Sequence, residues 1–503
     1  MHCHKKLLKN RYFKNIMKEY EKRFNSKMSK YFSQYFRVGR RKKMSKKLLL
    51  INPVNPYRVG LTVNPSSRFQ PLGLGLVAAL TPVDWDIEII DENFKPFEYK
   101  EADLVGLTAF TASVTRAYEI ARLYREKSIP TILGGIHASM MKEEALQYVD
   151  TVVIGEAESV WAKVIADFEE DNLQRIYRGE WLDLKASPKP FRELFHRGYM
   201  FGSIQTTRGC PMDCEFCSVT VFNGHRYRKR PVKEVLDELE TIPQKMVFFV
   251  DDNLIGYGKK SEERAISLFE GMLERGIKKD WFCQASMNFA DNEKVLEYAA
   301  RSGCRMVFLG VEAENIDALK EVNKKLNVAK GVGTYEKVFH RINRHSIAVL
   351  GAFIYGMDSD TEKALHQRTT YIINSGVDVM QTTYLTPLPG TRLFNRLMVE
   401  KRLLYTDFPV DWSRYDMTEV IHQPLSMESK DLRGAMHKAN RRIYNRWTIM
   451  RKFLKTWFAT RSFTAAMWVY SSNINYRNVA LAKNPNVGFS NGREKMLGNT
   501  VGN

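Results

Sequence analysis

From Lys46 onward the chain alternates short apolar runs with stretches of helical length. KKLLLINPV (46–54), DWDIEIIDEN (84–93), ADLVGLTAFT (102–111), PTILGGIHAS (130–139) and DTVVIGEAE (150–158) read as parallel strands, because continuous apolar runs are what strands buried on both faces require. QPLGLGLVAALTP (70–82) reads as a helix between the first two. Strands alternating with helices predict an α/β, doubly wound sheet, in which ligands sit outside the carboxyl ends of the strands. The turns at those ends are GGIHAS (134–139) and GEAES (155–159). They make Gly134, Gly135, His137, Gly155 and Glu156 the candidates for contact with a bulky flat or phosphate-bearing ligand, although His137 alone reads equally as a satisfied loop histidine. Neither GxGxxG nor GxxxxGK[ST] occurs, so a dinucleotide or P-loop site is not indicated.

A second series starts near Tyr199. FGSIQTTRG (201–209), KMVFFVDDN (245–253), DWFCQASMN (280–288), CRMVFLGVEA (304–313), SIAVLGAFIYGM (346–357) and VDVMQTTYLTPLPG (377–390) are strand candidates, with helical stretches such as 260–276 and 290–303 between them. Six β/α units in series suggest a partial or full parallel barrel with its chemistry at the carboxyl ends of the strands. Polar residues gather there: Asp251, Asp252 and Asn253; Gln284, Ser286 and Asn288; Glu312; Tyr355; Thr386. Each could equally cap the following helix, and it is the repetition at successive strand ends that lifts the set.

Right after the first of these strands comes TTRGCPMDCEFCSVT, with Cys210, Cys214 and Cys217 at CxxxCxxC spacing. Three thiolates on one short loop can hold three corners of a 4Fe–4S cluster and leave the fourth iron open. The spacing differs from the C-x-x-C pairs of zinc ribbons and the four-cysteine runs of ferredoxins, and no second Cys/His pair lies nearby at metal-ligand spacing. Cys3, Cys283 and Cys304 are scattered without a disulfide framework, which points to a reducing, cytoplasmic setting, and the apolar flanks of Cys283 and Cys304 point to burial. The N-terminus has no secretory h-region and no long apolar span occurs.

The net charge of +20 is unevenly placed: residues 1–43 hold 15 Lys/Arg against two Glu. That stretch is either a basic arm for RNA or anionic lipid, or an extension ahead of MSKKLLLINP. At the other end, Arg441–Lys483 holds nine Lys/Arg and no acidic residue, interleaved with Trp447, Phe453, Trp457, Phe458, Phe463 and Trp468. This mix suits a helix packed on the barrel, or peripheral contact with the inner face of a membrane; nucleic acid is not expected as a partner. The domain organisation expected is a basic extension (1–45), a Rossmann-like domain (46–185), a barrel (195–400), a helical C-terminal domain (401–485) and a disordered tail (486–503).

With CxxxCxxC after a first barrel strand and Phe216 just before the last cysteine, the chain resembles the radical S-adenosylmethionine (SAM) superfamily. The preceding α/β domain makes it similar to the cobalamin-binding subclass, and the FVDDN, LGVEA, IYGMDSDT and TPLPGT strings agree. The resemblance spans roughly residues 46–430, and the C-terminal region resembles that of hopanoid-methylating members. It implies that Cys210, Cys214 and Cys217 ligate the cluster and that Phe216 lies against the adenine. It implies further that Gly310, Glu312, Ser286 and Tyr355 line the SAM pocket. The implied activity is cleavage of SAM to a 5′-deoxyadenosyl radical, with cobalamin, for methylation of an unactivated carbon on a lipid-like or other small-molecule substrate. An external donor such as ferredoxin or flavodoxin would supply electrons. Radical cyclisation or carbon–carbon coupling, and a non-catalytic iron–sulfur protein at RNA or membranes, are the alternatives. The D-x-H-x-x-G motif that gives cobalt a lower histidine ligand is absent, since the chain reads NPVNPYRVG after Ile51. That is compatible with cobalamin held without this ligand or with a domain that has lost it.

Overall fold

The computed structural model describes residues 45–481, apart from 59 and 63. The basic N-terminal extension, Cys3 and the tail from 486 lie outside the described residues.

The first sheet is wholly parallel: β1 (Lys47–Asn52), β2 (Asp86–Asp91), β3 (Leu104–Thr108), β4 (Thr131–Gly134), β5 (Thr151–Ile154) and β6 (Ile176–Arg178), in the order β2-β1-β3-β4-β5-β6. The order reverses between β1 and β3, which opens a crevice at their carboxyl ends. Leu48 to Ile51 are buried on both faces, under the helices Leu72–Leu80 and Trp161–Glu169 on one side and Val114–Arg125 on the other. The sixth strand was not expected from the sequence: Ile-Tyr-Arg is too short to carry a period.

The second sheet holds β7 (Phe201–Ile204), β10 (Met246–Phe249), β11 (Asp280–Ala285), β12 (Cys304–Glu312), β13 (Ala348–Tyr355) and β14 (Val379–Tyr384) in sequential parallel order. Between β7 and β10 a two-stranded antiparallel ribbon, β8 (Thr207–Arg208) with β9 (Arg228–Lys229), brackets the cysteine loop. No β7–β14 pairing closes the sheet among the described residues, so the barrel is partial. Alternate residues divide its faces: Val307, Leu309 and Val311 join the core under the outer helices, while Met306 and Phe308 point into the lumen.

An unpaired edge strand needs cover. On β14 it comes from three C-terminal helices, Ser429–Ile443, Arg446–Thr460 and Phe463–Ala480. Asn473 accepts from the Met380 amide at 3.1 Å and donates to Asp378 O at 3.0 Å, and the Tyr444 hydroxyl donates to Met380 O at 2.7 Å. The last helix also sets Ala465 and Val469 against Met306, Ala348, Leu350 and Val379, filling part of the lumen. Residues further back in the C-terminal region, Trp412, Tyr415 and Ile421, pack instead on the first domain.

Candidate functional site

The cysteine loop runs from Gly209 to Cys217 and feeds the helix Ser218–Asn223. Its start is fixed by acids at the end of β10. Asp251, fully buried, accepts from the Thr206 amide at 2.9 Å and the Thr207 hydroxyl at 2.6 Å. Asp252 accepts from Asn223 Nδ2 at 3.0 Å and the Gly209 amide at 3.3 Å, and burial pushes its carboxyl up to about 6. Gly209 has φ +88, and an added Cβ would lie 2.4 Å from Arg226 O, so only glycine fits there. The far side of the loop is tied to the segment after β12: the Glu215 amide donates to Val322 O at 3.1 Å, and Arg392 and Arg396 pair with Asp213 and Glu215 at 2.7 and 3.0 Å.

Cys210, Cys214 and Cys217 are free thiols, half-buried, and electrostatically coupled to one another. Burial pushes the Cys214 thiol up to about 11, against the pull of the Lys324 ammonium. No three His, Cys, Asp or Glu side chains converge on a single-ion site among the described residues. Phe216 is half-buried with its ring against the barrel core.

Beside the cysteines lies a buried ion pair. Lys324 Nζ stands 2.6 Å from Glu312 Oε1. Burial works against the Lys324 charge, yet Glu312 and Cys214 together hold its pKa above the ordinary value. Glu312 sits at a bulge in β12 with φ 63, a left-handed conformation that turns its carboxylate back over Gly310. A Cβ on Gly310 would meet Glu312 Oε1 at 2.5 Å and Lys324 Nζ at 2.8 Å. Ser286 Oγ accepts from Asn253 Nδ2 at 3.1 Å, and nearby Asn288 Oδ1 is buried without a partner. An orphaned acceptor past the end of β11 and a carboxylate–ammonium pair beside the cysteines suit a zwitterionic ligand such as SAM. Tyr355 does not belong to this set. It points outward from β13, fully buried, with its hydroxyl 3.1 Å from Thr369 and its ring under Arg368. Strand alternation decides this: Phe353 and Tyr355 share the helix-facing side.

At the carboxyl ends of the first sheet the candidates separate. Gly134 has open space above it, its nearest neighbour for a Cβ being Val153 O at 3.9 Å. Phe110, next to it at the end of β3, is 75 % exposed. Gly134 pairs with Thr108, two residues before Phe110, so the open glycine and the exposed ring stand at the carboxyl edge of neighbouring strands, a ledge open to a flat macrocycle such as cobalamin. Gly135 (φ +95) and Gly155 (φ +74) serve the chain's own turns instead, since a Cβ would strike Thr108 Oγ1 at 2.9 Å and Gly179 O at 2.7 Å respectively. His137 is turned inward and fully buried, 3.3 Å from both Thr111 Oγ1 and Glu144 Oε1, its ring edge-on to Trp412; burial lowers its pKa. It joins the first domain to the C-terminal segment and does not reach the ledge. Glu156 is likewise engaged by the protein itself. It pairs with Arg228 at 2.6 Å and Arg208 at 3.2 Å, clamping the first domain to the ribbon that brackets the cysteine loop.

The lumen carries groups that the sequence reading passed over. Phe248 and Phe282 stack with ring centroids 4.4 Å apart, Phe69 lies 4.3 Å from Phe248, Phe201 is 5.2 Å from Phe282, and Trp468 meets Phe282 edge-on at 6.0 Å. Phe69 is 42 % exposed, so this aromatic wall reaches solvent on its side. Phe201, Phe248 and Phe282 alternate with the helix-facing Ile204, Val247, Phe249, Trp281 and Cys283, a period-2 signal that was available in the strands.

Residues 58–165 match the family model described as B12 binding domain, and residues 204–368 that of the radical SAM superfamily. The chain is 29 % identical over 438 residues to bacteriochlorophyllide d C-12(1)-methyltransferase of Chlorobaculum tepidum, covering 83 % of this chain and 91 % of that one. It is 28 % identical to hopanoid C-2 methylase of Rhodopseudomonas palustris, over 67 % of this chain and 66 % of that one. Among solved structures, the radical SAM methyltransferase TsrM of Kitasatospora setae, with cobalamin and a [4Fe-4S] cluster bound, superposes with a TM-score of 0.66 at 15 % identity, over 87 % of this chain and 100 % of that one; it shares the fold. The chain belongs to the radical SAM enzymes that carry a B12-binding domain, the group that holds these methyltransferases.

Proposed function

We propose that the enzyme methylates an unactivated carbon of a hydrophobic substrate held in the barrel lumen. The aromatic wall of Phe69, Phe201, Phe248, Phe282 and Trp468 carries this reading, because it lines the interior of strands that bear the cysteine loop and the Glu312–Lys324 pair at their carboxyl ends. Stacked rings offer large apolar area and few polar anchors, which suits a flat or polycyclic apolar molecule. The hopanoid and bacteriochlorophyllide methylases among the relatives support the same class.

In this reading Cys210, Cys214 and Cys217 hold the 4Fe–4S cluster. Glu312, over Gly310, and Lys324 meet the charged groups of SAM, Ser286 stands at the pocket's side and Phe216 lies against the adenine. Phe110 and Gly134 receive a face of cobalamin. When bound, the cluster and SAM supply a radical able to take hydrogen from carbon, and cobalamin supplies the methyl group. The protein's part is to orient the substrate carbon, keep water from the site and hold the ionic partners fixed before reaction. Electrons come from an external donor of the ferredoxin or flavodoxin type.

Anaerobic reconstitution with iron, sulfide and cobalamin, followed by SAM and dithionite, tests the reading. Release of 5′-deoxyadenosine and S-adenosylhomocysteine, with methylation of a component of an apolar cell extract, is expected, and Cys214→Ala abolishes all three. 5′-Deoxyadenosine without S-adenosylhomocysteine points to cyclisation or coupling instead. Methylation only of polar metabolites overturns the hydrophobic-substrate reading.

A further inference from the structure

The helices Arg446–Thr460 and Phe463–Ala480 lie antiparallel across the barrel's C-terminal cover, and their outer face has no protein partner among the described residues. On the first, Trp447, Met450, Leu454, Trp457 and Phe458 recur at helical spacing on the solvent side, where Trp447 is 74 % and Phe458 75 % exposed. The second adds Phe463, 57 % exposed, and Met467. Ring contacts make this one patch: Trp457 touches Phe458 at 5.8 Å and Phe463 at 5.7 Å, and Phe453 bridges toward Tyr470. Contiguous exposed aromatic residues of this kind mark interaction surfaces.

Charge selects the partner. From Arg441 to Leu481 there are eight Lys/Arg and no Asp or Glu. Lys452 and Lys455 are spent inside, on Ser375 O at 2.7 Å and Asp378 at 2.8 Å. Arg446 and Arg461, at the two ends of the first helix, enter no ion pair among the described residues. Neither helix is long and apolar enough to cross a membrane. An apolar stripe of Trp, Phe, Leu and Met flanked by arginines fits the headgroup layer of an anionic bilayer.

We propose that this face seats the enzyme as a peripheral protein on anionic lipid bilayers. The helix Phe463–Ala480 gives the seat a consequence: its opposite side, Ala465, Trp468 and Val469, lies against the barrel lumen. Docking therefore sets the aromatic wall one helix away from the bilayer, on the path of an apolar substrate that reaches the exposed Phe69. Only that consequence rests on the substrate reading above; the docking face stands on its own residues.

Vesicle flotation of the full chain is the test, with phosphatidylcholine vesicles with and without phosphatidylglycerol, at low and high salt. High salt screens what a basic arm alone supplies and leaves apolar insertion. Wild type is expected to float with the anionic vesicles at both salt levels. Trp447→Ser/Phe458→Ser lowers the bound fraction on the order of tenfold at high salt, and Arg446→Glu/Arg461→Glu weakens the preference for anionic lipid. Both variants keep SAM cleavage with dithionite in solution, which shows that they fold. Equal flotation of wild type and both variants overturns the proposal, as does failure of wild type to float. A wild-type dimer in light scattering that becomes monomeric in Trp447→Ser/Phe458→Ser assigns the face to a second copy and also overturns it. Flotation with no apolar methylation product retains the docking face and removes only the substrate reading.

Discussion

Lys324 Nζ lies 2.6 Å from Glu312 Oε1, and the two stand beside Cys214 and Cys217 with no room for a side chain at Gly310 beneath them. Glu312 is buried and the Lys324 side chain keeps only 15 % of its surface exposed, so neither charge is well tolerated alone. Lys324→Met strands the Glu312 carboxylate and is expected to cost about 3–5 kcal/mol of stability. Lys324→Met/Glu312→Gln restores much of that loss while leaving SAM affinity low, because the fixed charges proposed above to meet the zwitterion are gone. Chemical denaturation of the two variants, with equilibrium dialysis of SAM on the reconstituted double variant, checks both statements. A double variant as unstable as the single one would mean that the pair is not an isolated unit.

His422 sets a pH dependence. Burial lowers its pKa from the ordinary 6.5 to about 4, and its Nε2 lies 2.9 Å from Gly356 O. Between those two values the unfolded chain binds a proton that the folded chain does not. The stability it contributes is therefore complete above pH 6.5 and is lost as pH falls toward 4. The full swing is about 3 kcal/mol. His422→Gln keeps a donor for Gly356 O and is expected to flatten this limb of the curve, read from urea midpoints at about pH 7.5 and about pH 4.5. An unchanged slope in the variant would place the titration elsewhere.

The fold was legible because its parallel strands are buried on both faces and announce themselves as apolar runs, as in Leu48–Ile51 and Val247–Phe249. The cysteine loop was legible because its chemistry is local, three thiols within eight residues of sequence. Sites assembled from distant segments were not. Lys324 follows Glu312 by twelve residues on an irregular stretch, and nothing in its neighbours marks it as buried. His137, Glu156 and Tyr355 occupy the right ends of the right strands, but a strand-end position does not say which way a side chain points. His137 turns in to Glu144 and Trp412, Glu156 finds two arginines over fifty residues away, and Tyr355 falls on the helix-facing parity of β13.

Glu156 couples the two domains. Arg208 and Arg228 are register partners on β8 and β9, and the carboxylate joins both from the end of β5. Arg208 keeps Glu158 at 2.5 Å after the loss of Glu156, whereas Arg228 is left buried without a carboxylate. Glu156→Ala is expected to cost about 3–5 kcal/mol and to loosen the loop that begins at Gly209. The checks are thermal unfolding, a faster tryptic cut between Gly209 and Gly224, and less iron retained after reconstitution. If iron retention is normal and only the melting temperature falls, the clamp serves stability without positioning the loop.

Phe110 separates binding from folding. Its ring is 75 % exposed at the end of β3, so truncation removes almost no internal packing, and Phe110→Ser is expected to change apo-protein stability by no more than about 0.5 kcal/mol. Yet it removes the largest apolar surface of the ledge beside Gly134, and cobalamin retention after gel filtration, followed by its visible absorbance, is expected to fall on the order of tenfold. Gly134→Val, which fills the open space above β4, lowers retention through steric exclusion while leaving Phe110 in place. His137→Gln acts in the opposite sense, disturbing the buried contacts with Glu144 and Trp412 and lowering the melting temperature with little change in the affinity of the protein that remains folded. If His137→Gln instead abolishes cobalamin binding in folded protein, the imidazole must leave its buried position to reach the cofactor, and the assignment of the ledge to Phe110 and Gly134 fails.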